Sequence, residues 1–234
     1  PVHDVGIHEN GQPYYTMRLL DSLSLSEVLT AVADGNPEAK RTYPLHRLLR
    51  IFQSICMGVE YAHSEGAVHR DIKPDNVRLG RYGEVQVVDW GLARVDGLPD
   101  MPLRRATLGA MADGRTDPCI VIGSLNYMSP EQAAGENESV GPASDIYALG
   151  CILYEILTHT VPHDHPDTEV LLTQIETRAV TPPGELVTDH TVPPVLDELC
   201  MAALERDMNN RIQDPRILWW GVDDYLYQGE KHTL

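Results

Sequence analysis

The residues best equipped for chemistry in this chain sit together in one short run, Ala67-Val-His-Arg-Asp-Ile-Lys-Pro-Asp-Asn76. An apolar pair, Ala67 and Val68, opens it, and a second apolar run, Val77 to Leu79, follows with Arg78 as its only polar member. A dense polar loop between two apolar runs is how a scaffold presents reactive groups at a strand end. Pro74, Asp75 and Asn76 are ordinary turn formers, so a charged surface turn is the plain alternative, but a turn does not need this order of residue types. The order suits phosphoryl transfer. Asp71 can accept the proton of a hydroxyl nucleophile, Lys73 can neutralise charge on a moving phosphoryl group, and Asn76 can offer an oxygen to Mg²⁺. A second oxygen ligand stands in Val85-Gln-Val-Val-Asp-Trp-Gly91, a strand that ends in Asp89 and then a glycine.

Elements on both sides must hold these groups. The turn Gly80-Arg-Tyr-Gly83 joins the flanking strands into a hairpin, which brings Asn76 and Asp89 together. Upstream, apolar positions 45, 48, 49, 52, 55, 56 and 59 follow helical spacing and predict one amphipathic helix over 45–63 that delivers the chain to the loop. Downstream, residues 144–157 are apolar on nearly every side, which predicts a buried helix too short to span a bilayer. The pattern also predicts a hairpin of residues 2–7 and 14–20 about Glu9-Asn-Gly-Gln12, and a short helix over 23–33 capped by Ser22 or Ser24. Residues 36–43 read as a polar loop. Amphipathic helices follow over 169–178, 195–205 and 215–227, separated by the Pro-rich turns Thr181-Pro-Pro-Gly184 and Val192-Pro-Pro194. Periodicity fails between Arg94 and Ile122, and so long a loop in a compact domain points to a functional or disordered segment.

The set His69-Arg70-Asp71 with Lys73 and Asn76, then Asp89-Trp90-Gly91, then Ser129-Pro130-Glu131, resembles in order and spacing the eukaryotic-like Ser/Thr protein kinase family of bacterial type. The resemblance implies an α+β, mostly α fold. Residues 21–234 would form the large C-terminal lobe and residues 1–20 a two-stranded remnant of the small lobe with its hinge. It implies ATP and Mg²⁺, a protein substrate, and transfer of the γ-phosphate to Ser or Thr hydroxyls. The catalytic positions fall on Asp71, Lys73, Asn76 and Arg70, and the metal positions on Asn76 and Asp89. Nucleotide contacts fall on Met17 as gatekeeper, Arg18 and Leu20 of the hinge, Arg78 beneath the adenine, and Lys73. By the same resemblance, Asp145 holds the catalytic loop's backbone and Glu131 pairs with Arg211. Residues 94–131 become an activation segment, in which Thr107 or Thr116 carries a phosphate received by Arg70 and the Ser124 hydroxyl contacts Asp71 and Lys73.

Some family features are not in these residues. No lysine precedes Lys40 and no Gly-x-Gly precedes Tyr14, so the glycine-rich roof over the phosphates, its strand lysine and the glutamate that pairs with it are missing. Residues 1–234 alone are therefore expected to be inactive, and a parent with the whole small lobe active. Trp90 stands where the family has phenylalanine, Ser129 where it has alanine, and Arg78 where it has an apolar side chain. A truncated pseudokinase serving as a protein-binding scaffold is the alternative, against which the retained Asp71, Lys73, Asn76 and Asp89 argue. A small-molecule kinase, the third reading, lacks the long segment closing in Ser-Pro-Glu.

Composition narrows the partners. Thirty-five acidic residues against 18 basic ones give a net charge of −17 and a pI near 4.8. Such a surface repels nucleic acid and anionic lipid, while the protein substrate and ATP are partners that the resemblance implies. No window approaches the ~20 apolar residues of a membrane span, which with scattered cysteines (Cys56, Cys119, Cys151, Cys200) fits a cytoplasmic segment with buried or incidental thiols. Only Lys40, Lys73 and Lys231 are lysines, so a chain that prefers arginine keeps a compact point charge inside the polar loop. His159, His163, Asp164 and His165 alternate in a Pro-containing stretch that reads as a solvated loop rather than a metal site. Trp219-Trp220 reads as a helix face packed on the lobe.

Overall fold

The computed structural model describes residues 2–7, 13–17, 22–95, 97, 125–188 and 190–231. Strands β1 (Val2–Ile7) and β2 (Pro13–Met17) pair antiparallel, Ile7 opposite Pro13 and Val2 opposite Met17, with an irregularity between Val2 and Asp4. A second sheet sets β5 (Val77–Leu79) between β3 (Leu23–Ser24) and β6 (Val85–Val87), and a third pairs β4 (Ala67–Val68) with β7 (Arg94–Val95). Helices make up the rest, as expected for a mostly α member of the α+β class.

Helix α1 (Leu25–Ala33) starts where Ser24 and Glu27 close a capping box, the serine oxygen accepting from the Glu27 N–H and the glutamate accepting from the Ser24 N–H at 2.6 Å. Residues 37–42 correct the expected loop: they form helix α2 (Pro37–Thr42). Asn36 caps it by accepting from Glu38 and Ala39, Pro37 takes its first turn, and Lys40 and Arg41 face the carbonyl end. No residue of α2 is fully buried, so it left no apolar period to read.

Helix α3 (Leu45–Ser64) buries the stripe Leu48, Leu49, Phe52, Ile55, Cys56 and Val59. Gln53 interrupts that stripe and is buried with partners, its amide donating to the Trp219 carbonyl at 3.1 Å and to Asp223 at 3.2 Å. The stripe meets helix α5 (Pro142–Thr158), which from Ser144 onward is buried at every position except Glu155. Each such apolar side chain contributes about 1.5–3 kcal/mol when removed from water. After the short α4 (Pro130–Ala133), the C-terminal elements are α6 (Thr168–Thr177), α7 (Pro183–Leu186), α8 (Pro194–Ala203) and α9 (Pro215–Lys231). α8 packs on α5, and α9 on α3 and α8. Both Pro-rich turns prove to be helix starts, with Pro183 and Pro194 in first turns, where the N–H that proline lacks would have had no intrahelical acceptor. Cys56, Cys151 and Cys200 are buried free thiols, while Cys119 lies outside the described residues. Trp219 packs on the core as expected; Trp220 is exposed.

One histidine departs from the solvated loop expected of it. His163 is only 4% exposed, and neither ring nitrogen has a hydrogen-bond partner. Alternation in a polar stretch carries no information about which way a side chain turns.

Candidate active site

The loop 69–76 is held by its backbone. Asp145, in the first turn of α5, accepts from the Arg70 N–H on Oδ1 and from the His69 N–H on Oδ2, both at 2.8 Å. His63, from the last turn of α3, adds its Nε2 to Oδ2 at 2.8 Å. Arg70 needs that support, because its φ of 69° lies in the left-handed region that non-glycine residues avoid. The expected grip of Asp145 on this loop is there; the part of His63 had no signal in the sequence.

His69 is fully buried and ties the loop to the next motif. Its Nδ1 accepts from the Asp71 N–H at 3.2 Å, and its Nε2–H donates to the Val88 carbonyl at 3.1 Å. A backbone N–H can only donate and a carbonyl only accept, which fixes the tautomer. The Trp90 ring lies over it at 4.5 Å between centroids.

Asp71 stands at the end of this scaffold. Lys73 Nζ donates to its Oδ2 at 2.9 Å and to Oδ1 at 3.2 Å, and the Asn76 amide donates to Oδ2 at 3.0 Å and to the Asp71 carbonyl at 2.8 Å. With its NH₂ group turned to Asp71, Asn76 has its amide oxygen left to face a cation. Asp89 arrives through the hairpin: Val77 pairs with Val87, Leu79 with Val85, and the Val88 N–H donates to the Asn76 carbonyl at 2.8 Å. Asp89 is itself left-handed, φ 63° and ψ 63°. A Cβ on Gly91 would come within 3.2 Å of Asp89 Oδ1, so a side chain there would press on the carboxylate. Two hard oxygen donors beside one another suit Mg²⁺, which takes few protein ligands and completes its shell with water and phosphate oxygens. Among the described residues no cluster of three or more His, Cys, Asp or Glu is set to hold a metal.

Arg78, expected beneath the adenine where the family has an apolar side chain, has its guanidinium tied to Ser22. Its Nε donates to the Ser22 hydroxyl at 3.2 Å and its Nη2 to the Ser22 carbonyl. Of the other expected nucleotide contacts, Met17 ends β2, and Arg18 and Leu20 lie outside the described residues, as do Thr107, Thr116 and Ser124. The segment from residue 94 does not begin as a loop: Arg94 and Val95 pair with Val68 and Ala67.

The far end of that segment is anchored as expected. Glu131 and Arg211 form a buried ion pair, with Arg211 in the turn that follows α8. Beside the loop, Tyr127 donates to Glu155 at 2.7 Å; burial and then the Asp75 charge push the Glu155 carboxyl up, against that hydrogen bond. A cavity of about 230 Å³ lies away from all this, between the end of α1, the start of α3 and His190 to Pro193. It touches no residue of the loop.

Comparison with known proteins agrees with the geometry. Residues 7–218 match the protein kinase domain family. The chain is 34% identical over 229 residues to the serine/threonine-protein kinase PknD of Chlamydia caviae, covering 94% of this chain and 24% of that protein. It is 33% identical over 232 residues to the PknD of Chlamydia trachomatis serovar L2b, with the same coverage. It is 32% identical over 220 residues to that of Protochlamydia amoebophila, covering 91% of this chain and 22% of the relative. The chain thus spans about a quarter of the length of the curated relatives it matches. No helix among the described residues is long and apolar enough to cross a membrane. The match over residues 7–218 establishes that this chain belongs to the protein kinase family.

Proposed function

We propose that the chain is the catalytic part of an ATP-dependent protein kinase acting on serine or threonine hydroxyls. The observation that carries this reading is the Asp71 carboxylate, gripped by Lys73 and Asn76 at the end of a loop pinned by Asp145. In the reaction a substrate hydroxyl oxygen attacks the γ-phosphorus of ATP, the bond to the bridging oxygen of the departing ADP breaks, and the hydroxyl proton passes to Asp71. Lys73, already beside that carboxylate, is within reach of a phosphoryl oxygen in line with it. Asn76 and Asp89 are the residues to hold Mg²⁺, which when bound neutralises charge on the phosphates. Met17, Arg18, Leu20 and the stem of Arg78 are assigned to the adenine, and Arg70 to a phosphate on the segment after residue 95. The names of the relatives support serine or threonine as acceptor.

The test is phosphotransfer by the full-length protein to serine- and threonine-containing peptides with ATP and Mg²⁺, beside Asp71→Asn. The near-isosteric variant should keep its melting temperature and lose turnover. Full activity in Asp71→Asn overturns the role given to Asp71, and a wild-type protein that binds partners without transferring phosphate favours a scaffold.

A further inference from the structure

Gln132 has no part in the roles assigned so far, yet it touches the backbone beside Asp71. Its Nε2 donates to the Arg70 carbonyl at 2.9 Å, and its Oε1 accepts from the Ser129 N–H at 3.1 Å and hydroxyl at 3.0 Å. The Arg70 carbonyl belongs to the peptide that joins Arg70 to Asp71, so whatever fixes it fixes the root of the Asp71 side chain. Three backbone groups meet at that bend, and each has a partner. The Arg70 N–H has Asp145, the Asp71 N–H has His69, and the Arg70 carbonyl has Gln132. Two of these partners belong to the loop itself or to the central helix. Gln132 alone comes from α4, the helix anchored by Glu131 and Arg211. A small cavity of about 30 Å³ lies between Arg70, Asp71, Gln132 and Asp145, so packing does not wedge this peptide in place from that side.

We propose that Gln132 is a positioning residue for Asp71, a strut that sets the Arg70–Asp71 peptide by reference to α4. The inference rests on the proposed phosphotransfer. It gives the Ser129-Pro-Glu-Gln132 stretch a second task beyond anchoring: when α4 is seated, the amide reaches the catalytic loop, and when α4 shifts, the strut goes with it.

A simpler account is that Gln132 only closes the capping box of α4 with Ser129. The two accounts part at Gln132→Glu. Glutamate accepts from the Ser129 N–H and hydroxyl as well as glutamine does, so the cap survives. It cannot donate while ionised, and it sets a carboxylate oxygen against the Arg70 carbonyl, leaving that acceptor unsatisfied. A small misplacement of a catalytic group costs about 10- to 100-fold in rate. In the full-length protein Gln132→Glu should therefore lower kcat about tenfold or more, with KM for ATP and melting temperature near wild type. The deficit should shrink as the pH falls toward the titration of the new carboxyl, because the protonated acid regains a donor. Amide exchange should quicken at residues 69–72 and stay unchanged in α3 and α5. Wild-type kcat and wild-type exchange in Gln132→Glu would reduce the residue to a cap, and so would a kcat loss that only tracks a lower melting temperature with exchange rising throughout. Absence of phosphotransfer by the wild-type protein defeats the proposed function instead, and the exchange pattern then decides the strut by itself.

Discussion

Arg211 grips both carboxylate oxygens of Glu131, Nη1 to Oε1 at 2.8 Å and Nη2 to Oε2 at 3.0 Å, across 80 residues of sequence. Both side chains are removed from water. Every remaining donor is used: Nε reaches the Glu205 carbonyl, Nη1 also reaches Ala143 and Nη2 Arg206, and the Ser144 hydroxyl donates to Glu131 at 2.7 Å. The guanidinium lies 5.1 Å from the centre of the Tyr147 ring. The pair thus joins α4, α5 and the turn after α8 in one network.

Removing one member strands the other charge in the core. Arg211→Ala should cost about 3–5 kcal/mol, a fall in melting temperature on the order of 10 °C. Burial pushes the Glu131 carboxyl up, but the Arg211 bonds and charge and the Ser144 hydroxyl outweigh it and hold the group below its ordinary 4.5. The folded value being the lower one, this contribution is complete above about pH 4.5 and is lost as the pH falls through the folded value. Thermal melts of wild type and Arg211→Ala across that range check both statements; an unchanged melting temperature at neutral pH defeats the first.

His163 titrates in the opposite chemical sense with the same direction in pH. Burial, and then the charges of Arg178 and Arg206, push its imidazole from 6.5 down to about 4. The fold holds the neutral ring, so the unfolded chain binds the extra proton. Stability from this source is whole above pH 6.5 and declines as the pH falls toward 4, by about 2 kcal/mol near pH 5. His163→Leu removes the titration and two orphan nitrogens together. Its melting temperature should exceed wild type at pH 5 by more than at pH 8; an equal gap at both values would remove the histidine from the account.

What the sequence could tell follows from what kind of signal each residue leaves. Asp71, Lys73, Asn76 and Asp89 were legible because their chemistry demands residue types in a fixed order. α3 and α5 were legible because burial imposes a period, on one face of α3 and nearly all round α5. α2 buries no residue fully, with only Ala39 packed partly against the core, so it left no apolar period to read. The contacts of His63, His69 and Gln132 are tertiary, made by polar side chains that could as well have pointed to solvent. Ser129-Pro130-Glu131 was legible as a motif; that the next residue, Gln132, closes a capping box and also reaches Arg70 was not.

Two helical glycines should respond differently to alanine. A Cβ on Gly150 would sit 3.0 Å from the Ala203 Cβ and from Leu204 Cγ and Cδ2, where α5 crosses α8. The Ala203 Cβ moves only with its backbone, so Gly150→Ala should destabilise by about 1–3 kcal/mol despite the better helix former. At Gly221 the nearest atom, 2.8 Å away, is the tip of the partly buried Leu199 side chain. That tip can turn, and the helix gain of about 1 kcal/mol offsets the cost, leaving Gly221→Ala near neutral. Denaturant midpoints for the pair decide it, and equal losses would show the α5–α8 crossing to be as pliant as the other.

Gly91 offers a way to move one proposed metal ligand without changing its charge. Its own φ is not positive, so alanine is tolerated by the backbone, but the added Cβ would lie 3.2 Å from Asp89 Oδ1. That distance is tighter than most real contacts, and the carboxylate has to give way by a few tenths of an ångström. Mg²⁺ demands near-ideal geometry from its ligands, and neighbours that orient ligands are worth about 10- to 100-fold in metal affinity. On the proposed function, Gly91→Ala should raise the Mg²⁺ concentration needed for half-maximal turnover up to about tenfold, with the melting temperature unchanged. Asp89→Asn, which removes the charge as well, should raise it further. The ordering of the two variants is the informative part. A Mg²⁺ dependence left untouched by Gly91→Ala, with Asp89→Asn still impaired, would mean that Asp89 acts through the hinge of its left-handed backbone rather than through the placement of Oδ1.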